Sequence, residues 1–94
     1  MTLRQREVPE VPKNPEIKPL RVLAHWDADA AVWWAESGDV PGLVTEAATL
    51  EELVENIRAL VPDLLALNKF EFRDAELPVE VIADRIERVR IRVN

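Results

Sequence analysis

The chain has no cysteine, only two glycines and a single histidine in 94 residues, and each scarcity removes a class of chemistry. Without cysteine there is no disulfide framework, no thiolate zinc site and no Cys nucleophile. Two glycines are too few for a loop that cradles phosphate on its backbone. His25 as sole histidine rules out any site built from two or more imidazole ligands, leaving a lone general base, and a half-exposed strand position accounts for it better. Ser37 stands before Gly38 in a turn pattern rather than in a nucleophile elbow. No apolar run approaches the roughly 18–20 residues needed to span a bilayer. The N-terminus also lacks the apolar stretch of a secretory signal, so a cytoplasmic location is expected.

What remains is the composition of a folded domain, 48% hydrophobic and 32% charged. A chain this short buries a smaller fraction of its surface than a larger protein does, so its core should be thin and association would help to stabilise it. The net charge of −6 conceals a segregation. Residues 1–21 carry five basic and three acidic side chains, residues 22–68 one basic (Arg58) and nine acidic, and residues 69–94 six of each. An acidic middle repels phosphate backbones and attracts a basic partner. Direct binding of DNA or RNA through the centre of the chain is therefore disfavoured.

Pro9, Pro12, Pro15 and Pro19 fall in residues 1–19 among alternating charges, which favours an extended, flexible arm over a helix. Residues 20–94 are then the single folded domain. From Leu20 to Trp26 the side chains of Leu20, Val22, Ala24 and Trp26 share one face of a strand, and Arg21, Leu23 and His25 the other. Asp27 to Ala31 reads as a turn, Val32 to Ser37 as a second strand, Gly38 to Gly42 as turn signals and Leu43 to Thr45 as a short third strand. Short connections make these three an antiparallel meander. Thr49 with Glu52 three residues later forms a capping box, and Glu51 and Glu52 suit the positive end of a helix. Leu50, Leu53, Val54, Ile57, Leu60, Val61, Leu64 and Leu65 follow at spacings of three and four, the stripe with which a helix covers a sheet. Pro62 should kink this helix near Leu60 or restart it, and Asn68 should end it. Beyond residue 76, Leu77, Val79, Val81 and Ala83 alternate, the phase slips at Ile86, and Val89, Ile91 and Val93 alternate again. A strand with a bulge near Ala83–Arg85 is preferred to a helix begun at Pro78. The fold class is thus α+β in the order β-β-β-α-β, that of a partial RNase H-like core.

Three groups of residues invite a functional reading. Asp27, Asp29, Glu36, Asp39 and Glu46 gather near strand ends, where converging carboxylates would hold Mg²⁺ for phosphodiester cleavage. In so acidic a chain, solvated and turn-capping roles are the commoner fate. Trp33 and Trp34 are adjacent on one strand and must point to opposite faces. One joins the core, and the other stands on the uncovered face, where a large aromatic either anchors a partner or is covered by a second copy or the arm. Arg88, Arg90 and Arg92 make a basic row opposite Val89, Ile91 and Val93, which could contact phosphates but better suits blunting an edge strand or pairing with Glu87 and the acidic helix.

Taken together, the Asp27 turn, the Val32-Trp33 strand, Asp39-Val40-Pro41-Gly42-Leu43, Thr45-Glu46-Ala47 running into Thr49-Leu50-Glu51-Glu52-Leu53, and Leu64-Leu65 with Asn68 resemble the HicB-like antitoxins, in particular a small, poorly characterised branch. The likeness covers residues 20–68. It implies a non-enzymatic protein, without cofactor or metal, that binds a small basic HicA-type RNA-cleaving toxin and occludes its active site. Trp33 or Trp34 would be the apolar anchor, and Asp27, Asp29, Glu36 and Asp39 would meet basic residues of the toxin. Many members carry a C-terminal helix-turn-helix or ribbon-helix-helix for operator binding, for which residues 69–94 are too short and irregular. The rival functions are a metal-dependent nuclease using the same carboxylates and a stand-alone oligomeric scaffold or ligand sensor.

Overall fold

The computed structural model describes residues 18–70 and 76–93. The Pro-rich arm expected over residues 1–19 therefore lies outside the described residues, apart from Lys18 and Pro19. The elements are β1 (Leu20–Asp27), β2 (Val32–Glu36), β3 (Val44–Ala47), α1 (Leu50–Leu67) and β4 (Val79–Asp84), an α+β fold in the expected order. They form one four-stranded sheet in the order β3-β2-β1-β4. β1 with β2 and β2 with β3 are antiparallel, as a meander requires, whereas β4 runs parallel to β1 from Leu20↔Val79 to His25↔Asp84. Everything from β2 to α1 serves as the crossover that a parallel neighbour needs.

Local chemistry sets the turns. At the β1–β2 turn the Asp27 carboxylate accepts from the backbone N–H of Asp29 (3.1 Å) and Ala30 (3.2 Å), while Ala31, at φ 58°, donates to the Asp27 carbonyl. After β2, the Ser37 hydroxyl donates to the Arg21 carbonyl at 2.6 Å and accepts from the N–H groups of Asp39 and Val40. Asp39 in turn accepts from the Arg21 N–H at 2.8 Å. These bonds fold residues 37–43 against β1 and drive Val40 and Leu43 into the core. Gly42 has φ 87°, a conformation that glycine adopts without steric cost.

Thr49 caps α1 by accepting from the Glu52 N–H at 3.1 Å. The helix does not restart at Pro62, one of the two expected outcomes; it runs through to Leu67 with Pro62 inside it. The carbonyl that loses its donor belongs to Arg58, and both Arg58 and Pro62 are exposed, so water can take that bond. At the other end Asn68 is the C-cap, Lys69 donates to the Ala66 carbonyl and Phe70 to that of Leu65. This is a Schellman closure with lysine at φ 63° where glycine is usual.

Leu53, Ile57, Val61 and Leu65 form the inner stripe of α1 and pack on Val22, Ala24, Trp33 and Ala35 of the sheet, with Val40 and Leu43 closing one side. No polar or charged side chain is buried among the described residues. The expected strand over the C-terminal stretch needs correction. β4 ends at Asp84, there is no bulge at Ala83–Arg85, and residues 85–93 join no ladder. β4 lies at the sheet edge, and among the described residues no strand pairs with its outer side. The alternative of a helix from Pro78 is likewise replaced by β4.

Leu53 is fully buried, so Leu53→Ala is expected to lower the unfolding free energy by about 3 kcal/mol in urea titrations. Lys69→Gly, by contrast, should raise it by about 1 kcal/mol, because glycine carries no steric penalty at positive φ. A destabilised Lys69→Gly protein would contradict the closure described above.

Candidate functional site

Pleating divides the sheet into a face beneath α1 and a face that, among the described residues, carries no helix. The register assigns every strand residue to one or the other. Ala47, Trp33 and Trp26 lie in one row on the covered face, as do Ala35 with Ala24 and Val22 with Val81. The open face carries the rows Val44, Glu36, Leu23, Ile82 and Glu46, Trp34, His25, Asp84, with Arg21 beside Glu80 at its end.

This separates the two adjacent tryptophans. Trp33 is 9% exposed and belongs to the core. It is withdrawn from the expected partner contacts, because its ring is consumed by packing against Trp26 at a centroid distance of 5.5 Å. Trp34 stands partly exposed on the open face, its ring 4.6 Å from that of His25. His25 Nε2 donates to the Glu36 carboxylate at 2.8 Å, and Nδ1 lies 3.9 Å from Asp84. An indole flanked by an imidazole and by the carboxylates of Glu36, Glu46 and Asp84 is thus fixed in place, apolar at its centre and anionic around it. Leu23, 38% exposed, extends the apolar part in the neighbouring row.

The other expected contact residues are more dispersed. Glu36 belongs to the Trp34 cluster. Asp27, at the end of β1, spends one carboxylate oxygen on its own turn, and Asp29 is an exposed residue of that turn. Asp39 lies beyond the far end of β2, bonded to Arg21. The five turn and strand-end carboxylates therefore do not converge, and among the described residues no group of three or more His, Asp or Glu side chains is placed to hold a metal ion.

Two features were not legible in the sequence. Arg85 places its guanidinium 3.9 Å above the Trp26 ring and 5.9 Å from that of Trp33, a cation–π contact at the end of the covered face. No sequence spacing links residues 26 and 85; the parallel pairing of β4 brings them together. Second, α1 packs chiefly on β2 and β3. An apolar groove of about 490 Å³ is left between Val54, Val61 and Leu65 of the helix and Leu77, Val79 and Val81.

The assignment of the tryptophans has a direct consequence for stability. Trp33→Ala is expected to cost about 3–5 kcal/mol in urea unfolding. Trp34→Ala should cost about 1 kcal/mol or less, the worth of an aromatic contact at a half-open site. Equal losses would mean that the two faces have been exchanged.

No helix of the described residues is long and apolar enough to cross a membrane. No curated protein matches the chain. Among solved structures it is similar to a hypothetical protein, TTHA1013, from the extremely thermophilic bacterium Thermus thermophilus. That similarity amounts to 47% identity and a TM-score of 0.59, over 79% of this chain and 100% of the other. The family described as a domain of unknown function (DUF1902) matches residues 19–93, which takes in every strand and the helix, and the chain belongs to that family.

Proposed function

We propose that this protein is a HicB-like antitoxin, a binding protein that neutralises a small basic RNA-cleaving toxin of HicA type by covering its active site in the cytoplasm. The observation that carries the reading is the open face of the sheet. There Trp34 stands among Glu36, Glu46 and Asp84, with Leu23 beside it. A ribonuclease that holds RNA must present cationic groups, and a rigid aromatic ringed by carboxylates matches such a surface in both shape and charge. Aromatic anchors in the middle of an interface supply most of its binding energy, while surrounding charges set encounter rate and partner choice.

The same geometry argues for occlusion over bond-breaking. Asp27 and Asp39 are committed to backbone N–H groups of the turns, and Glu36 to His25. Carboxylates used in this way position loops and a ring. The resemblance of residues 20–68 to HicB-like antitoxins supplies the identity of the partner, and the charge of the central segment agrees with it.

Co-expression with a HicA-type toxin encoded beside this chain is expected to give a stable complex in which RNA cleavage is suppressed. Trp34→Ala should weaken that complex about 30-fold, the effect of losing a central aromatic worth about 2 kcal/mol. Glu36→Lys with Glu46→Lys should slow association, most strongly at low salt. Failure of the two proteins to co-purify would overturn the reading, as would a complex indifferent to Trp34→Ala. So would Mg²⁺-dependent RNA cleavage by the chain alone that is lost in Asp27→Asn, Asp29→Asn.

A further inference from the structure

The C-terminal segment behaves unlike the rest of the chain. Ile86, Val89, Ile91 and Val93 are 89, 74, 74 and 85% exposed, a density of aliphatic surface that a chain of this size does not ordinarily leave in water. Between Asp84 and Asn94 there is no glycine, proline, asparagine or aspartate. Nothing in that interval favours a turn, so the segment has no ready means of folding back on its own β4. The segment continues from the end of β4, whose outer edge pairs with no strand among the described residues.

We propose that residues 79–93 of two copies pair as antiparallel strands about a two-fold axis at Ile86, so that each C-terminal segment becomes the fifth strand of the other copy's sheet. The segment is complementary to itself. Directly opposed residues share a face, so in this register Val79 meets Val93 of the second copy and Val81 meets its Ile91. Both pairs lie on the covered face and prolong the apolar floor of the groove beside α1, which Val79 and Val81 already line. On the open face Glu80 meets Arg92 of the second copy and Asp84 meets its Arg88. Near the axis Arg85 meets Glu87. Within one copy these two side chains are already paired, as neighbours two apart on an extended chain would be.

Neighbouring registers fail on charge or on pleat. Moving the axis by one residue sets Arg85 on its own copy, or Glu87 on its own copy, and like charges directly opposed are destabilising. A half-step displacement turns the arginine row toward the apolar one. The axis at Ile86 joins acid to base on both faces while keeping the aliphatic residues of the covered face together. The interface is isologous, as a closed dimer requires, and it removes the exposed edge of β4.

The inference stands apart from the antitoxin reading and is tested without any toxin, on the full chain. Light scattering after size exclusion is expected to give twice the chain mass of 10.7 kDa. Arg92→Glu should raise the dimer dissociation constant about tenfold, since two opposed pairs become repulsive. Combining it with Glu80→Arg should recover most of that loss, the shortfall being the Arg21–Glu80 ion pair given up within each copy, and damage to the fold would not give such a rescue. Because the chain has no cysteine, Ile86→Cys should form a single disulfide-linked dimer under mild oxidation, whereas Val93→Cys, distant from its own copy, should not. A chain that stays monomeric would overturn the pairing, whether its segment folds back or awaits a different protein. A dimer in which Ile86→Cys fails to cross-link and the charge exchange fails to rescue would overturn it equally.

Discussion

The need to bury one face of a small, twisted sheet with one helix governs how this chain is built. It has ten well-buried hydrophobic residues among those described, drawn from β1, β2, the 37–43 loop and α1. Four of them come from consecutive turns on one side of α1. If the helix left the sheet, Val22, Ala24, Trp33 and Ala35 would face water, and the short strands would lose the cover that lets them pair. The capping of Thr49, the Schellman closure at Lys69 and the Asn56 side-chain bonds to Thr45 and the Glu46 carbonyl all hold the helix in that position.

One helix cannot cover four strands. It packs chiefly over β2 and β3, so the covered face has a protected half and a half that remains a groove. Among the described residues the opposite face has no helix. The described residues leave two apolar regions only partly covered, one around Trp34 on the open face and one between α1 and β4. Their chemistry differs. The first is ringed by carboxylates and suits a cationic partner, whereas the second is apolar and adjoins an unpaired strand edge. Under the two proposals made above, a foreign protein and a second copy would therefore use different surfaces.

The parts of the fold that could be read from residues alone were those governed by local periodicity. Alternation separated Val22 and Ala24 from Leu23 and His25, and the spacing of leucines together with Thr49 and Glu52 located α1. The opposition of Trp33 and Trp34 followed from adjacency, although which ring faced inward did not. The illegible parts are governed by contacts remote in sequence. Continuation of the helix through Pro62 depends on the exposure of the freed carbonyl, and β4 ends at Asp84 although its parallel neighbour β1 runs two residues beyond the last shared pair, His25↔Asp84. The carboxylates at turns looked alike in sequence, and only their hydrogen bonds distinguish Glu36, beside Trp34, from Asp27 and Asp39, which fasten loops.

Patterns among residues one to four positions apart were enough to set the order and type of the elements, the polarity of each strand face and the acidic character of the central segment. Folding in three dimensions was needed to lay β4 parallel to β1, to make Trp33 the buried ring, to bring Arg85 onto Trp26, and to leave a groove beside the helix. Those outcomes depend on which surfaces meet once the sheet has closed, and no local pattern encodes the meeting of residues some sixty positions apart.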